Sequence, residues 1–400
     1  MKHLRSLCGG PILAIALAPW LHAEPIGMPI EQGFRNPPIA ARPHTWWHWM
    51  NGNISREGIT ADLEAMAGIG LGGANIFNVS CDIPAGPVEY LSPEWLGLVH
   101  HAASEAKRLG LELGIQNCAG WSTSGGPWIK PEESMQTLYW SEVNVTGGQK
   151  LTQKIPVPKI ITNEPGDDLA DLQSSYRDIV LLAFPAGVDW QIDRWQTKTI
   201  RSTARAGIQP ALSKKGAEDQ DKRPAVDPDK VTDLSAKMAA DGTLSWDAPS
   251  GEWTILRLGH GSTGVVNQPA PKSGTGLEAD KMNRRAVDSH WKHGIQPILN
   301  HLGPLAGETL TNIVIDSYEA KHHAWTPDMR AEFKQRRGYD MGPFLVSLTG
   351  RCVGDIARTE RFYDDFRRTI GDLVTENYYG YMAELCHNHG LKIAIEPYRG

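Results

Sequence analysis

Residues 311–319, TNIVIDSYE, decide how the chain is read. Ile313, Val314 and Ile315 form an unbroken apolar run that ends on Asp316, with polar or turn-forming neighbours on either side. Such a run predicts a strand buried on both faces, since a strand with one wet face would alternate. Two carboxylates, Asp316 and Glu319, fall where it runs out. Residues 391–398, LKIAIEPY, repeat the arrangement, with Glu396 at the carboxyl end and Pro397 as a stop. Acidic groups at the ends of successive buried parallel strands are how a (β/α)8 barrel gathers its chemistry on one face. The expected fold class is therefore α/β, a catalytic domain of TIM-barrel type.

Strand and helix patterns alternate ahead of this stretch. Residues 44–50, HTWWHWM, read as a strand broken by Asn51-Gly52-Asn53, after which Ser55 caps a helix with Ile59, Leu63, Met66 and Ile69 at helical spacing. Residues 73–80 predict a second strand, and Ser92-Pro93-Glu94 opens a second helix that Gly110 ends. Residues 111–118 predict a third strand. Asn51, Asn78 and Asn117 then stand at three successive strand ends, which suits hydrogen bonding to hydroxyls; an ordinary turn role is the competing reading of each.

The alternation stops over residues 131–276. Short runs such as TLYWSEVNV, DIVLLAF and EWTILRLGH lie between Gly, Pro and Asp clusters and predict an inserted, mainly-β accessory region; a surface elaboration without its own core is the alternative. Helical patterning resumes over 280–302, and further helices are expected over 328–337 and 360–388, with Gly390 as a cap. Residues 24–130 thus read as three β/α units and 277–400 as two more. A closed barrel needs eight strands, so about five units read as an incomplete barrel.

Lys2 and Arg5, the apolar run Pro11–Leu21 and the small residue Ala23 read as a secretory signal over residues 1–23. The mature chain is then expected to be periplasmic or secreted, without a stable membrane span; an uncleaved anchor is the alternative. A formal charge of -6 over 400 residues offers no electrostatic footprint for nucleic acid. Fourteen Trp against seven Phe is a surplus that sugar-stacking clefts show, although core packing is the plainer fate of any one indole. Cys8 would leave with the signal. Cys81, Cys118, Cys352 and Cys386 lack metal spacing, and their pairing does not follow from sequence. Neither a phosphate-loop spacing nor an HExxH pair is present.

Four phrases occur in order: TWWHWMNGNISREGITADLEAMAGIGLGGANIFNV, GPVEYLSPEWLGLVHHAASEAKRLGLELGIQNCAGWSTSGGPWI, TNIVIDSYE with AWTPDMRAEFKQRRGYD, and HGLKIAIEPY. Together they resemble the α-L-rhamnosidases of glycoside hydrolase family 106, from about Arg42 onward. The resemblance implies a (β/α)8 catalytic domain with extra β modules. It also implies inverting hydrolysis of terminal α-L-rhamnosyl groups from a carbohydrate substrate, and a calcium ion that helps hold the sugar.

Inversion needs a carboxylic acid at the leaving oxygen and a carboxylate that activates water, ~6.5–9.5 Å apart. Glu319 is the expected acid, with Asp316 near enough to raise the pKa of one of the pair; a salt bridge to Lys321 or His322 is the alternative role of Glu319. Glu396 reads as the base or as one ligand of the calcium, whose full ligand set does not follow from the residues. Trp47, Asn51, Asn117, Trp121, Asp316 and Tyr398 are the substrate-binding candidates. Trp46 and Trp49 are further indoles of this group, and alternation sets Trp47 and Trp49 on the side opposite Trp46. A non-catalytic sugar-binding chain and a glycosidase of another specificity remain as alternatives.

Overall fold

The computed structural model describes residues 30–162, 171–199, 223–318 and 323–396. Glu319, Tyr398 and the expected signal at 1–23 lie outside the described residues. The chain divides into two compact units, residues 1–42 and 43–400. In the first, the described elements are helix α1 (Ile30–Arg35) and a 3-10 turn, Ile39–Ala41.

The second unit is organised by strands β1 (His44–Met50), β2 (Gly73–Val79), β3 (Glu112–Gln116), β10 (Leu310–Ile315) and β11 (Lys392–Ile395), which form one sheet in the order β1-β2-β3-β10-β11. Every pairing in it is parallel. Helices make the crossovers that parallel pairing requires. In α2 (Arg56–Gly68), the Ser55 hydroxyl accepts from Gly58 N at 3.1 Å. In α3 (Pro93–Leu109), Ser92 Oγ accepts from Trp95 N at 3.2 Å, Pro93 sits at the first position, and Gly110 closes the helix at φ +69°. Each cap satisfies an amide that the helix cannot, worth about 1 kcal/mol.

Alternation divides the sheet's two faces. Trp47, Trp49, Ala74, Ile76, Leu113, Ile115, Ile313 and Ile315 point to the helices and form the main core with Leu63, Trp95 and Val99. Phe77, Val79 and Val314 occupy the opposite face with Met50 and Ala394. The expected α/β architecture with a parallel sheet is thus present. Among the described residues the sheet is open, running from β1 to β11, and no closed barrel is formed.

Residues 136–262 form two antiparallel sheets. The larger runs β4 (Gln136–Thr146), β9 (Glu252–Ser262), β6 (Arg177–Pro185), β7 (Thr232–Asp233), and the smaller pairs β5 (Lys150–Lys154) with β8 (Thr243–Asp247). Strand β6 is apolar from Ile179 onward, where both its faces are covered. Val180, Leu182 and Phe184 pack with Phe333, Phe362 and Phe366, while Leu181 and Ala183 pack with Leu244 and Trp246. Phe333 lies on α7 (Met329–Arg337), and Phe362 and Phe366 lie on α8 (Ile356–Val374). The short helix α4 (Trp195–Thr199) adds Trp195 to the same cluster. Helices α5 (Arg284–His290) and α6 (Gln296–Leu302) flank a π-helical turn, and a second π turn, Thr375–Gly380, joins α8 to α9 (Tyr381–Asn388). The helix expected over 360–388 is therefore interrupted. No described helix is long and apolar enough to cross a membrane.

Gly73 lies where β2 is squeezed between its neighbours: a Cβ there would come within 2.3 Å of Glu112 O and 2.8 Å of His44 Cε1. Because one obstacle is backbone, Gly73→Ala should cost about 1–3 kcal/mol. The measurement is a urea melt, and the expected result is a lower midpoint with an unchanged slope.

Candidate active site

All five parallel strands end on the same edge of the sheet, and register decides which end residues meet. Ile315 pairs with Ile395 and Val314 with Gln116. Glu396 N donates to Ile315 O at 3.0 Å, and Asn117 N donates to Val314 O at 3.0 Å. Asp316 and Glu396 therefore leave adjacent strands side by side. By alternation both continue the face of Val314 and Ala394, away from the helices. Asp316 is buried and Glu396 exposed. Gln116 shares that face; its Nε2 donates to Ser122 O at 2.7 Å.

The remaining candidates separate by face. Trp47, only 7% exposed, packs edge-on to Trp49, and its Nε1 donates to Asp62 Oδ2 at 3.0 Å. A cavity of about 410 Å³ between β1 and α2 has Trp47 and Asp62 in its wall, on the helix side of the sheet rather than beside the two carboxylates. Asn51 occupies a left-handed turn position at φ +46° and donates from Nδ2 to Ile83 O at 2.6 Å. Asn117 is buried, and its Nδ2 donates to Thr123 O at 2.8 Å and Tyr378 Oη at 2.9 Å. Asn78 accepts from Trp95 Nε1 at 2.8 Å. Each of the three Asn side chains thus has one amide atom engaged by the protein's own turn, loop or helix groups, while Asn78 Nδ2 and Asn117 Oδ1 are buried without a hydrogen-bond partner among the described residues.

The indoles on the open face are Trp46 and Trp121, 47% and 39% exposed. Trp46 stacks on Phe77 at 4.8 Å between ring centroids. Trp121 stands edge-on to His48, and its Nε1 lies 3.2 Å from His48 Nε2. An indole N–H can only donate, so this bond requires a neutral His48 with its proton on Nδ1. Burial lowers the His48 pKa, in the same direction. Trp121 is presented by a loop whose Gly120, at φ +86°, would place a Cβ 2.7 Å from the Gln268 backbone. The four described cysteines are free thiols, three of them buried.

Sequence reading missed a group of buried charges at residues 278–281. Glu278 Oε2 accepts from Ser124 Oγ and from Lys281 Nζ, each at 2.6 Å. Lys281 is 0% exposed and lies between two aromatic faces, 5.5 Å from the Tyr318 ring centre and 5.8 Å from that of Tyr378. Asp280 accepts from His323 Nε2 and from Thr326 Oγ1, each at 2.8 Å. In sequence these charges precede Asn283, which caps α5 by accepting from Arg285 N, and they look like the polar start of a helix. Their burial is visible only in three dimensions.

The calcium implied by the resemblance needs six to eight oxygen ligands. Asp316 and Glu396 offer oxygens of the right kind, but among the described residues no group of three or more acidic, His or Cys side chains could hold an ion.

A family model described as alpha-L-rhamnosidase, that of glycoside hydrolase family 106, matches residues 35–399. The solved structure of a rhamnosidase from Novosphingobium sp. PP1Y superposes with a TM-score of 0.76 at 29% identity, over 92% of this chain and 47% of that one. A protein of Formosa agariphila, provisionally named a beta-glucuronidase, is 47% identical over 372 residues, which are 93% of this chain and 31% of the relative. The chain thus spans less than half the length of either.

Two buried imidazoles make stability depend on pH. Burial, reinforced by Lys281, lowers His290 to about 3, and burial lowers His260 to about 4. The folded chain keeps both neutral where the unfolded chain protonates near 6.5. Between those values the unfolded state binds more protons. Stability is therefore full above about pH 6.5 and falls as pH drops toward about 4 and then 3. In urea melts at pH 7 and pH 5, His260→Gln should lose less stability than the wild type; equal losses would contradict the assignment.

Proposed function

The chain belongs to glycoside hydrolase family 106, and from that premise we propose that its parallel sheet is part of a (β/α)8 barrel that removes terminal α-L-rhamnosyl groups from a glycan or glycoside. The observation that carries this reading is the side-by-side exit of Asp316 and Glu396 from adjacent strands, on the face that also exposes Trp46 and Trp121.

Neighbouring strands lie ~4.8 Å apart. That spacing is closer than the ~6.5–9.5 Å between the two carboxyl groups of an inverting enzyme. Asp316 and Glu396 are therefore not the acid and base of one another. In the reading offered, Glu319 gives its proton to the leaving oxygen as the C–O bond breaks. Glu396, exposed and so in reach of water, takes the proton of the water that attacks the anomeric carbon from the opposite face. Asp316 holds a sugar hydroxyl. Trp121, kept in place by His48, offers a flat apolar surface to the sugar's ring and methyl group. Calcium belongs to the proposal as a grip on the sugar diol, with Glu396 among its ligands only if another carboxylate is the base, and no step is routed through it. Residues 1–23 are read as a secretory signal that delivers the protein to the periplasm or beyond.

The relative provisionally named a beta-glucuronidase motivates a second reading, a glucuronide substrate. A uronate is best met by a cation. The described strand-end side chains of the open face, Gln116, Asp316 and Glu396, are neutral or acidic and favour a neutral deoxysugar.

The test is hydrolysis of 4-nitrophenyl α-L-rhamnopyranoside beside the β-D-glucuronide, by the chain alone and with any sequence its gene encodes beyond it. Glu319→Gln should lower turnover of the rhamnoside by about 10²–10⁴-fold. Retention of most activity would remove Glu319 as the acid, and turnover of the glucuronide alone would select the second reading. Trp121→Ala should raise KM about tenfold, ~1.4 kcal/mol, with a smaller effect on kcat.

A further inference from the structure

Three charged residues in a run of four, Glu278, Asp280 and Lys281, are almost entirely withdrawn from water, at 2%, 1% and 0% exposure. Burying ions in this way costs more than their pairing returns unless geometry is excellent, and apolar replacements are often as stable. Stability alone therefore does not account for such a cluster. What the three side chains have in common is what they grip. Glu278 holds Ser124 of the loop after β3. Lys281, held by Glu278, lies over the ring of Tyr318, two residues beyond Asp316. Asp280 holds His323 and Thr326, a few positions further along the chain. Backbone contacts reinforce both places: Thr123 Oγ1 donates to Ser317 O at 3.0 Å, and Ala324 N donates to Gln136 O at 2.9 Å.

We propose that Glu278, Asp280 and Lys281 are positioning residues that clamp Ser317–Tyr318, just after β10, against the loop following β3, and His323–Thr326 against the start of β4. They touch no sugar. They act by fixing how the carboxylate-bearing end of β10 stands relative to the Trp121 loop, and their catalytic consequence rests on the reading of that edge as the active site. The clamp is divided in two: the Glu278–Lys281 pair secures Ser317–Tyr318, and Asp280 secures His323–Thr326.

The test uses Asp280→Asn and the double variant Glu278→Gln with Lys281→Met. The double variant removes both charges together and leaves no lone buried ion, so it keeps the proposal testable if a single charge deletion fails to fold. Amide hydrogen exchange is read at residues 316–318 and 323–326 and compared with the β4–β9 ladder. Asp280→Asn should speed exchange at 323–326, and the double variant at 316–318, each with the ladder unchanged. In whichever form hydrolyses the aryl rhamnoside, kcat should fall about 10²-fold, with KM within a few-fold of wild type. Exchange that is unchanged, or that rises equally across the ladder, would overturn the clamp, as would unchanged kcat in an active enzyme. A wild type that hydrolyses no rhamnoside would sink the functional reading, and the exchange comparison would still judge the clamp by itself.

Discussion

The parallel pairing of β10 with β3 on one side, regular from Asn312 onward after a shift between Leu310 and Asn312, and with β11 on the other is the constraint on which the rest of the molecule depends. It joins residues 112–116 to 310–315 across the whole β-rich insertion. The entropy of closing so long a loop grows only logarithmically with its length, so the insertion is tolerated. Register is held because a slip of one residue would exchange the two faces. Ile313 and Ile315 would leave the helix-side core and Asp316 would enter it. The burial that stabilises the sheet is therefore the same burial that aims its carboxylates.

Much of this was legible in the residues. The caps at Ser55 and Ser92, the Gly110 terminator, the five parallel strands and the two acidic strand ends all follow from local chemistry, because each is decided within a few positions of chain. Alternation also set Trp47 and Trp49 opposite Trp46 but did not say which side is buried: Trp47, expected among the sugar-binding indoles, lies in the core, and Trp46 is on the open face. Where a strand stops was harder. Asn78 falls inside β2 and Asn117 directly after β3, so both keep the helix-facing phase of their strands, whereas the sequence suggested that they project from a common rim.

The buried charges were not legible, for a different reason. Whether a lysine is solvated or enclosed depends on what closes over it. For Lys281 the enclosing groups are Tyr318, Tyr378 and Met135, drawn from three separate parts of the chain. One of these, Tyr378, is seated by a π turn that interrupts an otherwise regular helical pattern. No local composition announces such a turn, because one extra residue per turn changes the phase of a helix without changing the kinds of residue in it.

The larger antiparallel sheet has no face of its own to spare. Phe184 and Leu258 on one side are closed by Phe362 and Phe366 from α8, which itself leads through the π turn to Tyr378 and the last strand. A segment that looks like an inserted module in the linear order is thus wedged into the wall of the unit that carries it. Its loss would not leave a shorter version of the same domain. It would expose an aromatic cliff along α8 and unseat the helix that sets Tyr378 beneath Lys281. For anyone grafting or trimming this scaffold, the useful cut points are set by which side chains share a core, and those lie elsewhere than the boundaries at which the sequence changes character.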